Sequence, residues 1–407
     1  MPLTFKHHQL PNGLDVVAEV NPDAHSFAAG LFVKTGSRDE AADVNGVSHF
    51  LEHMMFKGSE TYTWEDVNRI FDEIGAKYNA FTTQEMTAYY ANVLPEFSER
   101  AVEHLSHLLR PAIRQADFDT EKKVILEEIA MYLDDPGHRV YEKLMEVHFG
   151  KHPLGASILG SADSITALKR DQMADYFRKR YGPRNMVLSV TGRLDFDKVV
   201  AWADKYMGSW APVDAPRDHS EPVVRGERID LVDAKLNRHY TMGMTPGPSA
   251  QDDRRFAARV LSDVIGDAEG SRFYWALVDN AIAEDADLGF YPHDNCGSFY
   301  VALTTGPEKA AEALQIARAE LERAKRDLTD DEVERAKNKI ASSLVLSGEI
   351  PGGRMRSIGG QWIYNKEYRP LEKDMATLQA VTRESLLDLM RQYPFEPMTI
   401  VTLGPGK

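Results

Sequence analysis

The chain repeats itself at an offset of about 210 residues. "YYANVLPEFSERAVEHLSHLL" (89–109) has a counterpart in "YVALTTGPEKAAEALQIARAEL" (300–321). "TEKKVILEEIAMYL" (120–133) answers to "DDEVERAKNKIASSL" (330–344), and "ALKRDQMADYFRKRYGPRNMVLSVTG" (167–192) to "AVTRESLLDLMRQYPFEPMTIVTLG" (380–404). The shared order and offset are those of a duplicated domain. Between the copies lies "APVDAPRDHSEPVVRGER" (211–228), rich in Pro and charge and poor in apolar periodicity, which reads as a linker. The expected domains are therefore 1–210 and 229–407.

Each copy runs through the same elements. A hairpin-like opening ("LDVVAEV" then "SFAAGLFVKTG"; "RIDLVDA" then "RHYTMGMTPG") precedes helices, a further strand, long amphipathic helices and a closing strand ("NMVLSVTG"; "MTIVTLG"). Thr63 with Asp66, and Thr329 with Glu332, have capping-box spacing, and Gly75 and Gly182 read as helix stops. The fold class expected is α+β, two duplicated domains, each a mixed sheet with helices mainly on one face. The Gly-rich stretch "SGEIPGGRMRSIGGQW" (347–362) follows no strand pattern, so it reads as a loop or helix kink and not a phosphate cradle.

Composition excludes several classes. A net charge of -15 argues against nucleic-acid binding, which needs clustered Lys and Arg. No apolar run reaches the ~18 residues of a membrane span. The start "MPLTFKHHQLPNG" lacks an export signal, which gives a cytoplasmic expectation, or periplasmic if a signal has been removed. One cysteine, Cys296, excludes an internal disulfide and a multi-thiolate metal site, and reads as a small core residue.

Chemistry concentrates in "GVSHFLEHMMFKGSETYT" (46–63). His49 and His53 are four apart, so a helix puts them on one face, where two imidazoles can hold one zinc ion. Glu52 borders that face and can reach a metal-activated water as a base without being a ligand. The other members of the run are apolar, so burying this face buries three ionisable groups that need pairing, and a metal supplies it. The alternative is a pH-sensitive packing cluster. The third ligand is sought in "FDTEKKVILEEIAMYL" (118–133), a helix with Val124, Ile125, Leu126, Ile129 and Leu133 on its apolar side. Glu121 and Glu128 are two turns apart and point the same way. Either can reach a metal, the other bracing a histidine, while Glu127 points elsewhere.

His49-x-x-Glu52-His53 is the inverted zinc-peptidase motif. With "KTGSRDE", "NAFTTQEMTAYYANVLPE", "EKKVILEEI", "HPLGASILGSADSI" and "YGPRNMVLSVTGRLD", the whole chain resembles the pitrilysin family of inverzincins, which includes insulin-degrading enzyme and the mitochondrial processing peptidase. The resemblance implies a LuxS/metallohydrolase-like peptidase fold and one Zn2+ per chain, with His49, His53 and Glu128 as ligands. It implies Glu52 as general base and Glu121 as the glutamate that supports the site. "NAFTT" (79–83) resembles the edge strand that receives peptide substrates as an added strand, with Asn79, Ala80 and Phe81 as the binding residues. The second copy carries no histidine at the matching "RVLSDVIGDAEG" (259–270), and Lys339 stands opposite Glu128, so only one copy can bind zinc.

One departure matters. Family members resembling this chain supply an Arg, and a Tyr seven residues later, from the second copy. Here those positions hold Val278 and Asp285, and Arg272 and Tyr274 have the wrong spacing. The expectation is a zinc metalloendopeptidase acting as the catalytic subunit of a heterodimer, with a homologous partner supplying the Arg and Tyr. A homodimer is the rival, and a non-catalytic scaffold subunit of the same fold is the alternative function.

Overall fold

The computed structural model describes residues 3–406. In chain order the first half contains β1 (Thr4–Gln9), β2 (Asp15–Val20), β3 (Phe27–Val33), α1 (Val47–Met55), α2 (Trp64–Glu73), β4 (Lys77–Thr82) and β5 (Thr87–Val93). It continues with α3 (Ser98–Leu108), α4 (Gln115–Leu133), α5 (Pro136–Phe149), α6 (Ala162–Ala167), α7 (Arg170–Arg180), β6 (Met186–Gly192) and α8 (Phe196–Met207). The second half contains β7 (Arg228–Val232), β8 (His239–Gly247), α9 (Arg255–Gly266), β9 (Asp285–Pro292), β10 (Gly297–Thr305) and α10 (Ala310–Asp327). It ends with α11 (Asp330–Gly348), α12 (Pro351–Asn365), α13 (Leu371–Gln379), α14 (Arg383–Gln392) and β11 (Thr399–Gly404).

The duplication is visible in the sheets. One has the order β1-β2-β6-β3-β5-β4, the other β7-β11-β8-β10-β9. Position by position the second repeats the first without its outermost strand. In each, one neighbouring pair is parallel (β2 with β6, β7 with β11) and the others are antiparallel. β1 and β9 are strands that the sequence patterns did not mark.

The compact units do not follow the 1–210 and 229–407 division. One unit comprises Met1–Ala130, Ala156–Asp218 and Leu346–Arg369; the other comprises Met131–Gly155, His219–Val345 and Pro370–Lys407. The physical reason lies in the central strands. Every residue of β3 and β6 is buried, so both faces of that sheet are covered. Helices crowd one face, and α12, supplied from the second half of the chain, covers the other. Met355, Ile358, Trp362 and Ile363 pack there on Val17, Ala28, Phe32 and Val187. Each such buried side chain contributes ~1.5–3 kcal/mol.

The Gly-rich stretch is thus mostly helix and not a loop. At Gly359 a Cβ would stand 2.3 Å from the Phe32 ring, so the glycine permits the close approach of helix to sheet. Polar groups fix the helix in place. Arg354 binds Glu19 through 2.9 and 2.5 Å hydrogen bonds, the side chains only 6 and 4% exposed, and Tyr368 donates to the same carboxylate at 2.7 Å. In the other unit α5 packs on β8 and β11, burying Val140, Leu144, Met145 and Phe149 against Met244, Val401 and Leu403.

The expected linker has no helix or strand before β7, yet it is not slack throughout. Arg217 is buried and binds Asp39 at 3.0 and 2.7 Å and the Glu85 carbonyl at 2.5 Å.

Candidate metal centre

α1 is fastened at its start. Gly46 has φ +92°, and the Glu40 carboxylate accepts from the Gly46 and Ser48 amides, both at 2.7 Å. A carboxylate there satisfies orphan amides and suits the positive end of the helix. Burial nevertheless pushes Glu40 up to about 7, against the pull of these bonds.

From this helix His49, Glu52 and His53 project towards β4 and α4. The buried stripe of α4 is Phe118, Glu121, Ile125 and Ile129, at three- and four-residue spacing. Val124 and Leu133, expected on the apolar side, are instead 43 and 57% exposed, because the helix turns the glutamate stripe inward and these outward. Glu127 is exposed, as its spacing predicted.

His49, His53 and Glu128 come together, each offering one ligand atom, all within 4.8 Å of one another. Glu128 Oε2 is 3.8 Å from His49 Nε2 and 3.7 Å from His53 Nε2. Bonds of ~2.0–2.1 Å to a tetrahedral zinc place its ligands roughly 3.3–3.5 Å apart, so the three atoms, now spread over as much as 4.8 Å, would draw inward to hold it. Glu121 takes the supporting place: its Oε1 is 2.9 Å from His53 Nδ1 and its Oε2 is 2.5 Å from Lys57 Nζ. That contact makes His53 Nδ1 the donor and leaves Nε2 as a lone pair facing Glu128.

The local charges fit the same use. Burial, helped by neighbouring His53, pushes His49 down to about 4, so it stays neutral and its lone pair is available. His53 differs: burial opposes its protonation, but Glu121, Glu128 and Glu52 outweigh it and raise its pKa, so without a metal the imidazolium is favoured and binding an ion there releases that proton. Burial raises the Glu52 pKa, against the Thr82 hydroxyl, which donates to Glu52 Oε2 at 2.6 Å. The sequence reading missed Thr82; its place in "NAFTT" was the available signal.

β4, carrying Asn79, Ala80 and Phe81, is the edge strand of its sheet. Asn79 Oδ1 accepts from the Ala80 amide at 2.9 Å, as an amide pointing away from β5 allows. Phe81 packs on the α12 side of the sheet.

In the second half, Arg259 and Asp263 pair at 3.3 Å on α9, at the offset of His49 and His53. Lys339 of α11 binds Asp267 and the Glu269 carbonyl. Among the described residues no second metal cluster forms. Arg272 is bound to Asp327 and to both Glu332 oxygens (2.8 and 2.9 Å). Val278 packs on the apolar core and Asp285 begins β9. Among the described residues no helix is long and apolar enough to cross a membrane.

The fold and this cluster define a duplicated α+β chain with one His-His-Glu centre in its first half. Residues 15–162 match the model described as insulinase (peptidase family M16), and residues 167–340 match the peptidase M16 inactive domain. An uncharacterized zinc protease of Streptomyces coelicolor is 32% identical, covering 99% of this chain and 90% of its own. One of Bacillus subtilis is 30% identical, covering 99 and 98%. The crystal structure of a Helicobacter pylori protease superimposes with a TM-score of 0.91 at 20% identity, covering 99 and 100%. The chain belongs to peptidase family M16, the pitrilysin family that its motifs resemble.

Proposed function

We propose that this chain is a zinc metalloendopeptidase and that His49, His53 and Glu128 hold the ion. The observation that carries the reading is the convergence of these three side chains, with Glu52 beside them and Glu121 bracing His53. When bound, zinc supplies Lewis acidity, polarising the scissile carbonyl and acidifying water. Glu52 takes the proton of the attacking water and returns it to the leaving amine, and burial favours its protonated form relative to a free carboxyl. The outer edge of β4 receives the peptide as an added strand, through backbone hydrogen bonds at Ala80, with Asn79 and Phe81 flanking it.

Val278 and Asp285 offer no cation or hydroxyl for a developing oxyanion, and Arg272 is engaged elsewhere. A homologous partner supplying an Arg and a Tyr therefore accompanies the chain in this reading, as a heterodimer, with a homodimer as rival. The match of 167–340 to an inactive domain favours a second reading, a non-catalytic scaffold; the intact cluster in the first half weighs against it.

The test is cleavage of a quenched fluorescent peptide by the purified zinc-loaded chain, with Glu52→Gln as blank. Cleavage above the blank supports the peptidase and favours the homodimer. Bound zinc without cleavage, restored by a copurifying homologue, supports the heterodimer. Failure to bind zinc, or a Glu52→Gln variant as active as the parent, overturns the reading.

A further inference from the structure

Thr82 is the last residue of β4 and pairs with Thr87 of β5. Thr87 is buried, and its hydroxyl donates to the Thr35 carbonyl at 2.9 Å, so the end of the hairpin is anchored to the core. Side chains alternate along the strand: Phe81 turns to the α12 side, and Thr82 turns to α1. There its hydroxyl donates to Glu52 Oε2 at 2.6 Å, the one hydrogen bond of that carboxylate among the described residues.

The length is that of a charge-assisted bond, among the stronger kinds a hydroxyl makes. A glutamate has three rotatable bonds, and with no other partner Glu52 would lose its fixed aim. Thr82 is β-branched and stiff at χ1, so it delivers its hydroxyl from a nearly fixed position. With Oε2 held, Oε1 stays available for a proton.

We propose that Thr82 is the positioning residue for Glu52, tying the aim of the base to the strand that receives the peptide. The proposal rests on Glu52 being the base. It goes beyond that role by making β4 both binding edge and support for the chemistry. Adding a peptide strand to β4 would stiffen the backbone of Thr82, so binding and alignment would rise together.

The experiment uses the full zinc-loaded chain with Thr82→Val, Thr82→Ser and Glu52→Gln, each checked for zinc content and melting. Thr82→Val keeps the shape and loses the donor. It should lower kcat by roughly 10- to 100-fold with KM within about 3-fold and zinc retained. Thr82→Ser should recover to within about 5-fold of the parent, because it keeps the hydroxyl. A Thr82→Val enzyme with parental kcat, a loss confined to KM, or a Ser variant as impaired as Val would overturn the proposal. If Thr82→Val does not fold, Thr82→Ala takes its place with the same expectations.

Crystal structures of the zinc-loaded parent and Thr82→Val separate this idea from the peptidase reading. If the parent does not exceed Glu52→Gln, the peptidase reading fails for the isolated chain, and the structures alone decide on Thr82. A Glu52 carboxylate that leaves its parental position supports the positioning role; one that stays overturns it.

Discussion

Replacing Glu121 by Gln should weaken zinc binding without removing a ligand. The carboxylate serves two donors at once, His53 Nδ1 at 2.9 Å and Lys57 Nζ at 2.5 Å. It can do so because an ionised carboxylate only accepts. An amide has one accepting oxygen and one NH2 group. If the oxygen keeps His53, the NH2 faces the Lys57 ammonium, donor against donor. If the oxygen keeps Lys57, the NH2 faces His53 Nδ1, and the ring proton moves to Nε2, the atom that faces Glu128 at 3.7 Å. The first arrangement loses an ion pair at a residue 5% exposed, and the second spends the lone pair the metal needs. Groups that orient a metal-binding histidine are worth ~10–100-fold in affinity, or ~1.4–2.8 kcal/mol. Zinc titration against a chromophoric chelator, on the parent, Glu121→Gln and Glu128→Gln, reads this directly. The expected order is parent tightest, Glu121→Gln weaker by ~10–100-fold, and Glu128→Gln weakest. Affinity of Glu121→Gln within about 3-fold of the parent, or as low as Glu128→Gln, would refute the argument from donors and acceptors.

Three further outcomes follow from the same structure. Arg354→Met strands the buried Glu19 carboxylate with Tyr368 alone, and urea unfolding should show a loss of ~3–5 kcal/mol that Glu19→Leu in the same chain largely restores; a loss below ~1 kcal/mol would show that the pair does not fasten α12. Burial, with the His293 charge adding to it, holds His148 down to about 4 against an ordinary 6.5. Between those values the unfolded chain holds the extra proton, so stability falls as pH falls, by up to about 3 kcal/mol at pH 4; His148→Gln should flatten this dependence, and an unchanged pH profile of unfolding would contradict it. Ala80→Pro removes an outward amide that an added strand would use, and should raise KM by roughly 3- to 10-fold with zinc affinity unchanged; an unaltered KM would remove Ala80 from the peptide-binding edge.

Much of this protein is legible in the linear sequence because it depends on local period. The two-residue alternation of the strands, the Thr63–Asp66 capping box and the four-residue step from His49 to His53 are properties of one element each. The duplication is likewise a matter of order, and the two sheets repeat it strand for strand. Glu121 and Glu128 announce themselves as a pair on one helix, but only packing brings Glu121 to 2.9 Å from His53 and Glu128 to 3.8 Å from His49 on α1. What the tertiary structure alone decided are the contacts that close over long stretches of chain. The Gly-rich 347–362 has a weak helical pattern by itself and becomes α12 because a fully buried sheet face needs covering. Val124 and Leu133 look like core residues in sequence, yet the glutamate stripe takes the inward face of α4. Arg217 belongs to a linker by composition and to a buried ion cluster by contact. Thr82, an ordinary strand residue, becomes the sole hydrogen-bond partner of Glu52 among the described residues only when β4 is laid beside α1. Backbone periodicity fixes which residues share a face; burial of apolar surface and pairing of buried charge decide which faces meet.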